Sequence, residues 1–219
     1  MYVSIYYYGN QSFIGSLLIT FTFIAFLSLY IGLATYLFEK LKTKRKIFNY
    51  LVAFPVIWVS IEVLRSFFLT GFPWLILGTS LAGTSIGGWI PILGSYGGSV
   101  LLLMISGSLA IIFEDRLNLN FSPIVIILII LVSSFSLNEI SWTKEIAKAK
   151  TSIYQPNLTL QKKWSPQGIK MTMKLVEASI ENAEENEIIF FPETALILNK
   201  EDLGSWLLDI EEQAIQKNI

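Results

Sequence analysis

The stretch EIIFFPETA, Glu187 to Ala195, decides how this chain is organised. Ile188 to Phe191 carries no charge and runs into Pro192, the pattern of a strand covered on both faces whose ladder stops at a residue without an N–H. One carboxylate, Glu193, follows immediately. Open α/β sheets place their chemistry just past the carboxyl ends of their strands, so Glu193 is the candidate catalytic residue. By position alone such a Glu is more often a solvated loop residue or a helix N-terminal charge, and further context is needed.

That context begins immediately upstream. TSIYQP, Thr151 to Pro156, reads as a strand, and NLTLQKKW, Asn157 to Trp164, reads as a loop. Ser165 and Pro166 are an N-cap followed by proline at the first helical position. Ile169, Met173, Val176, Ile180 and Ala183 then fall on one helical face up to about Asn186. A strand, a helix and a strand form a β-α-β unit, which pairs its strands in parallel and leaves both carboxyl ends on one edge. Gln155 and Glu193 are expected there. Trp206, Leu207, Ile210 and Ala214 mark a further amphipathic helix. A sheet this small leaves faces and edges bare, so residues 138–219 are expected to be the incomplete start of an α/β domain.

Residues 1–137 speak a different chemical language. The chain of 219 residues is 53% hydrophobic and only 15% charged, and its apolar residues concentrate between Ser12 and Leu137. Ser12 to Phe38 has no charge and exceeds the roughly 20 residues that cross a bilayer. Ile47 to Leu69 and Gly87 to Phe113 give two more spans, and Phe121 to Leu137 a fourth of marginal length. MYVSIYYYGNQ at the start holds four tyrosines and no charge, an interfacial aromatic belt. The fold class is therefore an α-helical membrane bundle of about four spans followed by an incomplete α/β domain.

Several features refine the bundle. Lys40, Lys42, Lys44, Arg45 and Lys46 form the densest basic cluster, which the positive-inside rule places in the cytoplasm. Counting crossings then puts Thr70 to Ser80 outside, Glu114 to Arg116 inside, and Met1 and everything after Asn138 outside; helices preceding Met1 are expected. Glu62 and Arg65 share a face of the second span and are expected to pair structurally. Pro73 and Gly71 break the helix into an aromatic re-entrant or interfacial loop. Gly83, Gly87, Gly94 and Gly98 have small-xxx-small spacing for close helix approach, and Pro91 is expected to kink the third span.

Composition also excludes. A net charge of −1 offers no basic stripe for nucleic acid. With no His and no Cys, these residues by themselves supply neither a thiolate nucleophile, a Ser-His-Asp triad nor a Cys/His zinc site.

Four stretches give the chain a resemblance to a known family: VSIYYYGN (Val3–Asn10), LRSFFLTGFPWLILGTS (Leu64–Ser80), the IPILGSYGGS region from Ile90, and YQPNLTLQKKW (Tyr154–Trp164) with FFPETA (Phe190–Ala195). Together they resemble apolipoprotein N-acyltransferase, a bacterial inner-membrane enzyme with a periplasmic domain of the nitrilase type, an αββα fold. The resemblance implies a phospholipid acyl donor, a diacylglyceryl lipoprotein acceptor, a multi-pass location in the inner membrane with the C-terminal region periplasmic, and no cofactor or metal. In that family a Glu acts as general base, a Lys stabilises the oxyanion, and a Cys carries the acyl group as a thioester. Glu193 matches the Glu. Trp164 matches a tryptophan tied to substrate handling, against the alternative of a packing aromatic, and Trp74 in GFPWL is expected to line the lipid entrance or to anchor the interface. The family's Lys and Cys match nothing here. The resemblance therefore implies an internal or truncated piece, inactive alone and served by a separate chain carrying the missing nitrilase half. Two other readings stand beside it: a membrane-tethered carbon-nitrogen hydrolase using the same Glu, and a non-catalytic membrane module.

Overall fold

The computed structural model describes residues 1–114 and 121–219, so the turn expected at Glu114 to Arg116 lies largely outside the described residues. The chain divides into two compact units, Met1–Lys144 and Glu145–Ile219.

Among the described residues of the first unit, three helices are long and apolar enough to cross a membrane: Phe13–Leu41, Lys46–Thr70 and Gly87–Glu114. The first starts where Ser12 accepts a hydrogen bond from the Gly15 N–H at 3.1 Å. Its 29 residues extend about 44 Å, more than the hydrocarbon thickness, and a tilt accommodates the excess. Only Ser16, Tyr30 and Ala34 are buried along it, because lipid rather than protein suits its remaining apolar surface. Before it, Tyr2, Tyr6 and Phe13 cluster ring against ring, with Tyr2 and Tyr6 stacked at 5.7 Å.

The second span is not a uniform α-helix. A π-helical turn, Asn49–Ala53, precedes buried Pro55. Proline cannot donate to the preceding turn, and a π-bulge is one way for a helix to absorb that missing bond. Ile61 packs against Tyr30 and Ala34 of the first span, with Phe26, Leu27, Ile57 and Trp58 around them.

The third span is broken at Gly94, which has φ 67 and ψ −175, rather than at the expected Pro91. The proline removes the donor, but the backbone turns three residues later, where glycine alone accepts this conformation. The glycine contacts also differ from expectation. Gly98 lies against Gly78, but a side chain at Gly83 or Gly94 would meet open space and one at Gly87 would meet Leu81 and Thr84 of the preceding loop rather than another span. The close approaches fall instead at Gly78, where a Cβ would come 1.9 Å from the Ser95 carbonyl, at Gly88 against Ser134, and at Gly107 against Tyr50. Ser122–Asn138, with 17 residues, is a shorter apolar helix that packs on the third span.

In the second unit, β1 (Thr151–Ile153) and β2 (Ile188–Phe190) pair in parallel, Thr151 opposite Ile188 and Ile153 opposite Phe190. The helix Pro166–Asn182 connects them, capped by the Ser165 side chain on the Gly168 N–H. Its Val176 and Ile180 meet Ile210 of the helix Lys200–Lys217, with Ile189, Phe191, Leu196 and Trp206 around them. The segment expected to be a loop contains one helical turn, Leu160–Lys163. Among the described residues the chain is thus mostly helical, with three long apolar helices and one small two-stranded sheet.

Candidate functional site

Pairing outlasts the two strands by one residue: the Tyr154 N–H bonds the Phe190 carbonyl at 3.0 Å, and the rings of Tyr154 and Phe191 stack at 6.0 Å. Pro192 then ends the ladder. The Ala195 N–H returns to the Pro192 carbonyl at 3.1 Å, closing a tight turn in which Thr194 takes φ 54. Glu193 sits within this turn with an exposed side chain. A carboxylate at the carboxyl edge of parallel strands is where proton-transfer chemistry is expected.

A second segment reaches the same turn. Lys163 Nζ donates to Thr194 Oγ1 at 2.6 Å, tying the helical turn Leu160–Lys163 to the loop that carries Glu193. Trp164 follows Lys163 directly and is 62% exposed. Glu193 and Trp164 therefore stand on two loops joined by one hydrogen bond. Beneath them Lys163, Met173, Ala195, Leu196 and Leu203 line a small hollow. Exposed Gln155 follows Tyr154 on the same edge.

Glu187, at the start of the decisive stretch, has a role that the sequence reading missed. It is 5% exposed, accepts a hydrogen bond from the Ser152 hydroxyl of β1, and accepts another from the Glu184 N–H at 2.9 Å. These bonds, the Ser152 one foremost, hold its carboxyl below the ordinary range. Lys150 pairs with Glu184, which raises its ammonium pKa. The only signal in the sequence was a charge placed directly against an apolar strand. This cluster fixes the entry to β2, at the end remote from Glu193.

Trp74 belongs to the first unit and is 70% exposed on the loop after the second span. That loop is held by Glu62 and Arg65, but not as an ion pair, since none joins them among the described residues. Arg65 Nη2 donates to the carbonyls of Trp74 and Leu75 at 2.8 and 3.1 Å. Glu62, 4% exposed, accepts from Trp58 Nε1, the Leu77 N–H and Ser99 Oγ, while Ser99 Oγ in turn accepts from the Gly78 N–H. Two ionisable side chains one helical turn apart thus bind opposite polarities of one loop backbone. Leu69, Thr70 and Leu75 all have positive φ, a strain that persists only where surroundings hold the chain in place.

Residues 1–108 match the family model described as the apolipoprotein N-acyltransferase N-terminal domain. Curated relatives align along the chain: an apolipoprotein N-acyltransferase of Coxiella burnetii is 30% identical over all of this chain and 46% of its own length. One from Vibrio vulnificus is 30% identical over 98% of this chain and 42% of its own, and one from Methylococcus capsulatus 28% identical over the whole chain and 44% of its own. The chain spans less than half the length of these relatives. With residues 1–108 matching that N-terminal domain and relatives of about 30% identity aligned along its whole length, the chain is similar to the N-terminal part of apolipoprotein N-acyltransferases.

Proposed function

We propose that this chain supplies the membrane helices and the general-base half of a phospholipid-dependent acyltransferase that N-acylates the terminal diacylglyceryl-cysteine of lipoproteins. The observation that carries the reading is the joining of the Glu193 turn and the Trp164 loop by Lys163 and Thr194 at the carboxyl edge of two parallel strands. Glu193 takes the proton of a cysteine thiol, and the thiolate attacks the ester carbonyl of a phospholipid. The carbon–oxygen bond to glycerol breaks, the lysophospholipid oxygen receives the proton, and a thioester remains. The lipoprotein α-amine then attacks the thioester, an amide forms, and the thiol is restored. These residues contain no Cys, so in this reading the thiol comes from sequence outside them, continuous or on a second chain.

The small sheet is the opening of a nitrilase-like domain in this reading. The basic turn Lys40–Lys46 faces the cytoplasm, and the Glu145–Ile219 unit faces the periplasm of the inner membrane. Both substrates are lipids, so a membrane-anchored enzyme meets them in two dimensions rather than three, which supplies orientation. Trp74, amphipathic and exposed, suits an entrance for acyl chains at the interface.

The test joins this chain to the remaining segment of a curated relative in cells depleted of their own acyltransferase. Mass spectra of lipoprotein amino termini are expected to show N-acylation with the joined protein and none with residues 1–219 alone. Acylation by this chain alone, or none by a well-expressed joined protein, contradicts the proposal.

A further inference from the structure

We propose that the groove at the basic end of the bundle is a binding site for one anionic phospholipid, separate from the acyl-transfer edge and independent of that activity. The groove, about 720 Å³, runs between the second and third spans and the Ser122–Asn138 helix. Leu51, Val52, Met104 and Ile126 line it, and Arg45 and Lys46 stand at its mouth. Its size lies within the roughly 300–1,000 Å³ typical of small-molecule sites.

Charge and lining together choose the occupant. Lys40, Lys42, Lys44, Arg45 and Lys46 lie within a short stretch of chain, and among the described residues Lys42 pairs with Glu39 and Lys46 with Glu114 at 2.8 Å. Tyr50 also donates to Glu114 at 2.9 Å, which holds this carboxylate beside Lys46. Cations remain in excess, and basic pockets between helices near a membrane surface attract anionic headgroups. Arg45, exposed and always charged, offers the planar fork that matches a phosphate. Deeper in, the four apolar side chains give water no hydrogen-bond partner, whereas an acyl chain fills such a space without cost. A further helix suits the groove less well. Helices approach each other here through Gly78, Gly88 and Gly107, and the groove walls present large side chains instead.

The site lies at the opposite end of the second span from the loop bearing Trp74, about 37 Å along a helix of 25 residues. A lipid held there is a structural ligand rather than the acyl donor.

The experiment uses the full chain in an uncharged detergent with equimolar phosphatidylglycerol and phosphatidylcholine of identical acyl chains, read by native mass spectrometry. One phosphatidylglycerol is expected to be retained preferentially. Arg45→Gln is expected to weaken that retention roughly fivefold, as is Lys46→Gln, and the double variant to abolish the preference. Val52→Phe, which narrows the groove, is expected to displace both lipids, and Lys174→Gln in the second unit to change nothing. A thermal melt of each variant separates lost binding from lost fold. Equal retention of the two lipids, unchanged retention in folded Arg45→Gln, or a lipid-free dimer that Val52→Phe dissociates would overturn the proposal.

Discussion

Replacing Glu62 by Ala is expected to loosen the loop that carries Trp74 more than any other single change in the bundle. The side chain is 4% exposed and accepts from Trp58 Nε1 at 3.1 Å, Leu77 N–H at 2.8 Å and Ser99 Oγ at 2.7 Å. Truncation strands these donors. A buried donor left unpaired costs about 1–3 kcal/mol in soluble proteins, whereas hydrogen bonds between membrane helices average about 0.6 kcal/mol. Between those limits, three bonds give about 2–5 kcal/mol for Glu62→Ala. Gln keeps one oxygen for Trp58 and Leu77 and sets its amide against a hydroxyl that can rotate to accept, so Glu62→Gln is expected to lose only about 1 kcal/mol. Reversible unfolding in mixed micelles, followed by tryptophan emission, measures both. A double-mutant cycle with Ser99→Ala should show about 0.5–2 kcal/mol of coupling. Glu62→Ala within about 0.5 kcal/mol of the parent, or no coupling to Ser99, would refute the reasoning.

Other predictions draw on separate features. Gly78→Ala places a methyl 1.9 Å from the Ser95 carbonyl and is expected to cost roughly 1–3 kcal/mol or more, while Gly83→Ala, facing open space at φ 73, loses only about 1 kcal/mol to backbone strain; paired melts rank them. The Glu187 carboxyl is held below its ordinary value, so its stabilising contribution is present above the normal carboxylate range and fades as pH falls through the lowered folded value. The protection of the Ile188–Phe190 amides against exchange, taken relative to the intrinsic rate at each pH, should therefore fall in acid, and Ser152→Ala should flatten that dependence. Lys150, raised by Glu184, contributes below its ordinary pKa, and that contribution fades as pH rises through the higher folded value. Because the sequence has no Cys, single cysteines report without background. Thr43→Cys should react with an impermeant maleimide only after lysis and Asn199→Cys without it; the reverse pattern contradicts the proposed topology.

What could be read before the structure, and what could not, follows the range of the forces involved. Ser165 with Pro166, and the charge-free run before Pro192, are local signals, and the capped helix and parallel strand appear where those signals fall, although Ile188 and Phe190 are exposed, so the strand is not covered on both faces as its composition suggested. The three long spans follow equally from uninterrupted apolar length. Glu62 was visible as a charge at membrane depth, but its partners Leu77 and Ser99 lie 15 and 37 residues away, beyond any helical periodicity. Its neighbour Arg65 turned to the loop carbonyls for the same reason: a strained backbone offers fixed dipoles that a spacing rule does not register. Glycine spacing likewise named a motif rather than the crossings, which depend on where Ser95, Ser134 and Tyr50 bring their backbones. At the candidate site, the Lys163–Thr194 bond that joins the Trp164 and Glu193 loops had no sequence signature at all.

The central claim is that Glu193 accepts the thiol proton. Its most direct test is single-turnover thioester formation on the joined protein, trapped by mass spectrometry across a pH series, with Glu193, Glu193→Gln and Glu193→Asp compared at matched expression. The account predicts thioester with Glu193, about a hundredfold or greater loss with Gln that high pH partly restores by ionising the thiol directly, and partial activity with Asp. Undiminished thioester formation by Glu193→Gln at neutral pH would contradict it.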